Sequence, residues 1–339
     1  MLSYVDQFSA GFQRQVYKAA AGGVEAVASA LFSIAEEFPP CVVQLQQVQC
    51  SLPDTVHRYA LATDGRTLFV AFQGSKELRD VATNINILQD AMWQGEAAAG
   101  PADWQGVAPL GVAAVHRGFL ARAKTLPVHA IYLHAVARSQ DVVFCGHSLG
   151  GAVAAICTLR LLRLTGGQAR VRCISFGAPA IGNAALARAV AAVGWQTNFA
   201  SYVLPEDLVP RLLTVWTHSS GITLPPPSTS LPAPARRPRR ACQSAVSGFL
   251  LPKLRKLPAY QHFGFQHYLG SPGGKRTALG MTDPFALHRM NAYRARARQL
   301  IPTSDMLALA PTARVTNRVT DSLAPTMTLV CPSRVSLPS

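Results

Sequence analysis

The chain has 339 residues, of which 49% are hydrophobic and only 14% are charged. Such a composition fits a globular protein with a substantial core, arranged as one large α/β domain or two smaller ones. No run of 18 uncharged apolar residues occurs, and the N-terminus lacks a basic segment followed by an apolar one. The sequence therefore predicts neither a transmembrane helix nor a secretory signal.

The net charge of +15 is concentrated in one part of the chain. Residues 211–300 hold 14 Lys or Arg against a single acid, Asp283. No nucleic-acid-binding motif or stacking array accompanies these residues, so nucleic acid is not an expected partner. Two interpretations stay open: peripheral contact with an anionic membrane or lipid-droplet surface, and an ordinary solvated segment.

Seven scattered cysteines show no spacing typical of a metal site, and we expect neither a metal nor an organic cofactor. Cys145, Cys157 and Cys173 fall in apolar patterns, where cysteine usually behaves as a small buried hydrophobe. This usage favours a reducing, intracellular setting, in the cytoplasm or at a membrane periphery. The sequence does not indicate an oligomeric state.

The first element is a helical pattern over residues 3–38, which Pro39 and Pro40 end. We assign an N-terminal helical segment to residues 1–40. A packing helix is the preferred interpretation, with a membrane-surface helix and a partner site as alternatives. A hairpin follows, because strand patterns at 59–63 and 67–72 flank the turn pair Asp64-Gly65. The second of these strands leads into Ser75.

The central pattern is a strand over 142–145, the sequence Gly146-His147-Ser148-Leu149-Gly150, and a helix over 151–164. This order is typical of the G-x-S-x-G nucleophile elbow, a sharp turn that exposes a serine at the end of a strand. Gly146 and Gly150 remove side chains that would collide in such a turn. Ser148 is therefore the candidate nucleophile, and an idle serine in a glycine-rich connection is the alternative.

Further strands and helices alternate after the elbow, which predicts a mostly parallel, doubly wound sheet flanked by helices. This domain is assigned to residues 41–300. Residues 219–258 interrupt it with a Pro- and Arg-rich stretch without periodicity, which we expect to be a disordered insertion. We expect residues 301–339, rich in Ser, Thr and Pro, to form a flexible tail.

A nucleophilic serine needs a histidine that takes its proton and a carboxylate that orients the histidine. Asp207 follows the next-but-one strand after the elbow and is preferred over its neighbour Glu206. Position alone does not choose the base. The candidates after Asp207 are His218, His262, His267 and His288, of which His218 is the least favoured and His288 is placed late enough to reach the elbow.

Seven segments occur in an order that is specific when taken together. They are Ala71–Ser75 with Asp80, Val115–Phe119, Gly146–Gly151, Ser175–Pro179 with Gly182 and Asn183, Asp207–Pro210, Tyr260–Gly264, and His288 with Tyr293. As a set they resemble the class 3, or fungal-type, lipases of the α/β-hydrolase superfamily. The resemblance covers roughly residues 55–216 and 259–295.

The resemblance implies that Ser148, Asp207 and His288 form a catalytic triad. It also implies an oxyanion hole from Ser75 and the backbone N–H of Leu149, a structural role for His262, and a lid over residues 86–112. The implied activity is hydrolysis of carboxylic esters of glycerolipids, as in a triacylglycerol lipase. Phospholipase A1 or galactolipase activity within the same family stays open.

Three features depart from the family pattern. The Pro- and Arg-rich stretch over residues 219–258 has no counterpart in compact members of the family. Gln73 stands in the oxyanion loop where the family usually has arginine. The segment Leu287–Tyr293 also resembles the closing segment of plant lipase-like immune regulators, which share the fold and need not hydrolyse lipid. A catalytically inactive, lipase-like scaffold or regulatory binding protein is therefore the alternative function.

Overall fold

The computed structural model describes residues 3–19, 48–50, 57–75, 89–92, 112–218, 259–270 and 286–299. Its α-helices are α1 (Tyr4–Ala19), α2 (Arg117–Lys124), α3 (Val128–Val136), α4 (Leu149–Leu164), α5 (Ala184–Ala192), α6 (Val209–His218) and α7 (Met290–Gln299). Short 3-10 helices cover Trp195–Asn198 and Ala286–His288.

The strands of these residues form two sheets. They are β1 (Val48–Cys50), β2 (Tyr59–Thr63), β3 (Thr67–Phe72), β4 (Gln89–Ala91), β5 (Ala114–His116), β6 (Asp141–His147), β7 (Val171–Phe176), β8 (Gly182–Asn183), β9 (Phe199–Val203), β10 (Tyr260–Gln261) and β11 (Phe265–Tyr268). The larger sheet has the order β1-β2-β3-β6-β7-β9-β11, and the smaller has the order β10-β8-β5-β4.

The larger sheet is mostly parallel. Its strands from β3 through β6, β7 and β9 to β11 run parallel, while β1 and β2 are antiparallel additions at one edge. Helices connect the parallel strands, as parallel pairing requires. The predicted α/β fold class, a mostly parallel sheet flanked by helices, is confirmed.

Both faces of the sheet are buried at its centre, and the sequence of β3 shows why. All of its residues are buried, and successive side chains point to opposite faces. Leu68, Val70 and Phe72 join the core beneath α2, α3 and α4. Phe69 and Ala71 join a second core with residues of α1 and α7. Strands covered on both faces read as continuous apolar runs, as here.

The predicted hairpin is confirmed. β2 pairs with β3 so that Tyr59 lies opposite Phe72 and Thr63 opposite Leu68. At the turn, Asp64 accepts bonds from the backbone N–H groups of Arg66 and Thr67, and Gly65 has a φ of 92°. That left-handed conformation suits glycine, which has no Cβ to clash.

The N-terminal helix packs against the sheet, as preferred from the sequence, over the half that the structure describes. Phe8 and Phe12 of α1 are fully buried, and the ring of Phe8 lies 4.3 Å from that of Phe69 in β3. Gln13 in the same helix donates from Nε2 to the carbonyl oxygen of Phe72 at 2.8 Å. The predicted continuation over residues 20–38 lies outside the described residues.

Three other sequence interpretations also fall outside the described residues. These are the insertion over 219–258, the tail over 301–339, and the lid over 86–112 apart from residues 89–92 and 112. Cys145, Cys157 and Cys173 are buried and free, as expected, and burial raises the pKa of each thiol. Across the described ranges, none of the helices has the length and apolar character needed to cross a membrane.

Candidate active site

Ser148 lies in the sharp turn between β6 and α4. Its backbone has a φ of 55° and a ψ of −126°, a positive φ that non-glycine residues rarely adopt. The N–H of Ser148 donates to the carbonyl oxygen of Phe176 in the adjacent strand, at 3.0 Å. A strained serine held between a strand and the start of a helix has the geometry of a nucleophile elbow.

The two elbow glycines are required by close backbone contacts. A Cβ at Gly146 would lie 2.2 Å from the carbonyl group of Gly150. A Cβ at Gly150 would lie 2.2 Å from the carbonyl oxygen of Phe72, at the end of β3. Backbone atoms cannot swing aside as a long side chain could, so neither position has room for another residue. β3, β6 and α4 therefore pack closely around Ser148.

Asp207 and His288 form a buried pair, although they are far apart in the sequence. Nδ1 of His288 and Oδ2 of Asp207 are 2.7 Å apart, and the side chains are 0% and 1% exposed. Oδ1 of Asp207 accepts from the N–H of Val209 at 2.9 Å, and Oδ2 accepts from the hydroxyl of Tyr293 at 2.6 Å. The carboxylate therefore orients the imidazole and is itself held by two further donors.

His147 connects the elbow to this pair. Its ring centroid lies 4.7 Å from that of His288, and its Nε2–H donates to the backbone carbonyl oxygen of His288. Burial and then the neighbouring His288 lower the pKa of His147 well below its ordinary value, so its ring is neutral. Because His147 directly precedes Ser148, this bond places the imidazole of His288 beside the elbow.

The remaining contact of the implied triad, a hydrogen bond between Ser148 and His288, is not made. Oγ of Ser148 and Nε2 of His288 are both buried, and neither has a hydrogen-bond partner among the described residues. Buried polar atoms are nearly always paired, so two such atoms in one region are unusual. Catalytic hydrogen bonds are often formed only when substrate is bound.

The implied oxyanion-hole residues lie at the start of α4 and shortly after the end of β3. Leu149 is the first residue of α4, and the first N–H groups of a helix have no acceptor within it. Ser75 follows the end of β3, whose Phe72 carbonyl group contacts Gly150. Gln73, which replaces the usual arginine, is buried, and its N–H donates to the carbonyl oxygen of Arg58 at 3.0 Å.

The other histidine candidates lie elsewhere. Nε2–H of His262 donates to the carbonyl oxygen of Pro210 at 2.8 Å, because a carbonyl oxygen can only accept. His267 is exposed on β11 and stacks on Tyr202. Within the described ranges, no group of three or more His, Cys, Asp or Glu side chains is placed to hold a metal ion.

The sequence alone does not indicate the contacts that His147 and Tyr293 make. His147 is there only a part of the elbow motif, and Tyr293 is only a part of a motif with His288. Adjacency to Ser148 was a signal for His147, since a side chain next to the nucleophile borders any site. Tyr293 gave no comparable signal, because its contact with Asp207 depends on the placement of α7.

The fold and the elbow define an α/β-hydrolase-type domain, and comparison with known families agrees. Residues 69–216 match the family model described as Lipase (class 3). The resemblance to class 3 lipases that the motifs indicated is therefore confirmed for this region, which includes Ser148 and Asp207. His288 lies outside the matched residues.

Two curated relatives from Arabidopsis thaliana match shorter segments. Protein EDS1B is 38% identical over 90 residues, which cover 25% of this chain and 14% of the relative. Lipase-like PAD4 is 44% identical over 71 residues, which cover 21% of this chain and 13% of the relative. The matches thus span only a small part of either relative's length.

Solved structures of fungal lipases are also similar. The triacylglyceride lipase of Rhizomucor miehei has 19% sequence identity and a TM-score of 0.44, with 61% of this chain and 73% of that chain covered. The lipase of Rhizopus microsporus var. chinensis has 20% identity and a TM-score of 0.45, with 61% and 68% covered.

Proposed function

We propose that the protein is a serine hydrolase that cleaves carboxylic esters of glycerolipids. The observation that carries the proposal is the buried hydrogen bond between His288 and Asp207, held beside the elbow by His147. A scaffold without catalysis has no chemical need for an oriented imidazole next to a strained serine. The class 3 lipase match supports an ester of a lipid as the substrate.

In the proposed reaction, Oγ of Ser148 attacks the ester carbonyl carbon while Nε2 of His288 accepts the hydroxyl proton. The N–H of Leu149 and the hydroxyl of Ser75 donate to the oxyanion that forms. His288 then protonates the departing alcohol, which leaves an acyl group on Ser148. Water attacks this acyl-enzyme with His288 as the base, and the fatty acid departs as the free serine is restored.

The environment supports this assignment of roles. Asp207 is 2% exposed, so its charge interacts with the imidazole through little solvent. As the imidazole gains a proton, the nearby carboxylate stabilises the positive charge. The amides at the start of α4 direct partial positive charge towards Ser148, which favours the developing oxyanion.

The test is hydrolysis of a panel of triacylglycerol, monoacylglycerol, phospholipid and galactolipid by the purified protein. We expect at least one lipid to be cleaved, and Ser148→Ala to abolish cleavage. The matched control is Ser201→Ala, since Ser201 is a partly buried serine on β9 whose hydroxyl accepts a hydrogen bond from the hydroxyl of Ser175 at 3.1 Å. Equal rates for wild type and Ser148→Ala would refute the proposal.

A lipase-like binding protein without activity is the second candidate. Two observations favour it: one relative is itself named lipase-like, and Oγ of Ser148 is fully buried without a bond to His288. This candidate predicts that no lipid in the panel is cleaved although the protein is folded. It also predicts that Ser148→Ala leaves lipid or partner binding unchanged.

We further propose peripheral contact with anionic lipid surfaces. Arg289 and Arg298 are exposed at the two ends of the α7 segment, which carries no acidic residue. Each such residue near an anionic membrane contributes up to about 1 kcal/mol. We expect binding to anionic vesicles that decreases at high salt, and binding that does not depend on salt would contradict this electrostatic contact.

A further inference from the structure

The hydroxyl of Tyr293 lies at the centre of a buried hydrogen-bond junction. Tyr293 is 0% exposed, and its hydroxyl donates to Oδ2 of Asp207 at 2.6 Å. The same hydroxyl oxygen accepts from the N–H of Leu204 at 3.2 Å. Burial, followed by the charge of Asp207, raises the pKa of Tyr293 well above its ordinary value, so the hydroxyl keeps its proton and remains a donor.

Tyr293 and His288 donate to the same oxygen of Asp207. The two distances are 2.6 Å from the tyrosine hydroxyl and 2.7 Å from Nδ1 of the histidine. Because a hydrogen-bonded oxygen cannot rotate away without breaking both bonds, the tyrosine fixes the atom that the imidazole must meet. The N–H of Val209 holds the other oxygen, and this completes the orientation of the carboxylate.

The backbone of Gly177 lies against this junction. Gly177, at the end of β7, has a φ of 58°, and a Cβ there would lie 2.8 Å from the Tyr293 hydroxyl and 2.9 Å from Oδ2 of Asp207. The glycine thus allows the tyrosine and the carboxylate to approach the sheet closely. The ring of Tyr293 also meets that of His147 edge-on at 5.7 Å, so it contacts both residues that locate His288.

We propose that Tyr293 is a positioning residue, which holds Asp207 in the orientation that aligns the His288 imidazole. Its hydroxyl bonds to Oδ2 of Asp207, and it acts on the imidazole through that carboxylate. The kinetic consequences of this proposal rest on the proposed hydrolase function. Its structural consequence, a change in the Asp207–His288 hydrogen bond, does not.

The kinetic test removes only the hydroxyl, in Tyr293→Phe. We expect kcat to fall by about 10- to 100-fold with KM nearly unchanged, since the lost bond is one to a charged group and acts on the chemical step. The matched control is Tyr202→Phe, a buried tyrosine whose hydroxyl bonds to Asp6 and not to Asp207. Thermal unfolding of both variants establishes that they are folded.

A double-mutant cycle separates positioning from a general structural effect. In an Asp207→Asn background the tyrosine no longer has a carboxylate to orient, so Tyr293→Phe is expected to cause little further loss of kcat. Full additivity of the two substitutions would overturn the proposal. So would a Tyr293→Phe enzyme with the same kcat as wild type.

A second measurement requires no activity. The Nδ1 proton of His288 is buried in a short bond to a carboxylate, so we expect a downfield proton NMR resonance that disappears in His288→Gln and shifts in Tyr293→Phe. An unshifted resonance in the folded Phe variant would overturn the proposal. Should that variant unfold, 3-fluorotyrosine at position 293 keeps the ring shape and is expected to shift the same resonance. If wild type hydrolyses no lipid, the hydrolase proposal fails while this spectrum still decides the role of Tyr293.

Discussion

Substituting Gly150 with alanine is the most direct perturbation of the packing around the elbow. The added methyl carbon would lie 2.2 Å from the Phe72 carbonyl oxygen and 3.0 Å from its carbonyl carbon. The closest ordinary contact between a carbon and a carbonyl oxygen is about 3.3 Å. The start of α4 and the end of β3 must therefore separate by about 1 Å.

This separation should affect both stability and activity. Overpacking of this kind typically costs about 1–3 kcal/mol in the free energy of unfolding. Each kcal/mol lowers Tm by about 2–4 °C in a domain of this size class. Ser75 follows Phe72 in the chain, so its hydroxyl would also move relative to Leu149. A displacement of about 1 Å in a catalytic group can reduce the rate roughly 100-fold.

Thermal unfolding and ester hydrolysis are measured for Gly150→Ala and for Gly270→Ala. Gly270 is the matched control because its φ is not positive and, among the residues that the structure describes, none has an atom within 4 Å of an added Cβ. We expect the control to match wild type and Gly150→Ala to lose several degrees of Tm together with most of its activity. A Gly150→Ala protein that behaves like the control in both assays would refute the packing described for the elbow.

Three further predictions concern other buried residues. Burial lowers the pKa of His57 and His116 to about 4, whereas both side chains take up a proton near pH 6.5 in the unfolded chain. The free energy of unfolding should therefore decrease as the pH falls from about 6.5 to about 4, by up to about 3 kcal/mol for each histidine. Denaturant titrations that show equal stability at about pH 7 and about pH 5 would contradict this prediction. Nδ1 of His116 accepts hydrogen bonds from the N–H groups of Gly118 and Phe119 at the start of α2. His116→Ala should therefore lower the free energy of unfolding by about 1–2 kcal/mol, and His116→Asn, which retains an acceptor, should lower it less. Equal losses for the two variants in chemical denaturation would argue against this helix cap. Gly177→Ala places a methyl group against the Tyr293 hydroxyl, at a residue whose φ is positive. We therefore expect both Tm and kcat to be lower than in wild type. Wild-type values of both would show that the junction tolerates a side chain at this position.

Much of the fold could be predicted because local patterns and tertiary packing agree. The β-rich run before Gly146 and the small-residue helix after it give β6 and α4, and the turn pair Asp64-Gly65 gives the β2–β3 hairpin. Glycines mark the hairpin turn, the elbow and the end of α4, and continuous apolar runs mark the strands that are buried on both faces. Such signals lie within a few residues of one another, so a single sequence contains them.

The site was only partly predictable, for a physical reason. Ser148 is marked locally by its flanking glycines, but the base and the acid are brought to it by folding of the whole chain. Position alone leaves His218, His262, His267 and His288 as candidates for the base, and the family resemblance is needed to choose among them. The Tyr293–Asp207 bond depends on the placement of α7 beside the segment that follows β9, which no periodicity reveals.

The central claim, that Ser148 is a nucleophile activated by His288, is tested most directly by covalent labelling with a fluorophosphonate probe. Peptide mapping by mass spectrometry is expected to find one phosphonate adduct, on the peptide that contains Ser148, with no adduct in Ser148→Ala and much slower labelling in His288→Ala. Folded wild-type protein that remains unlabelled, or that carries the adduct on another residue, would contradict the account.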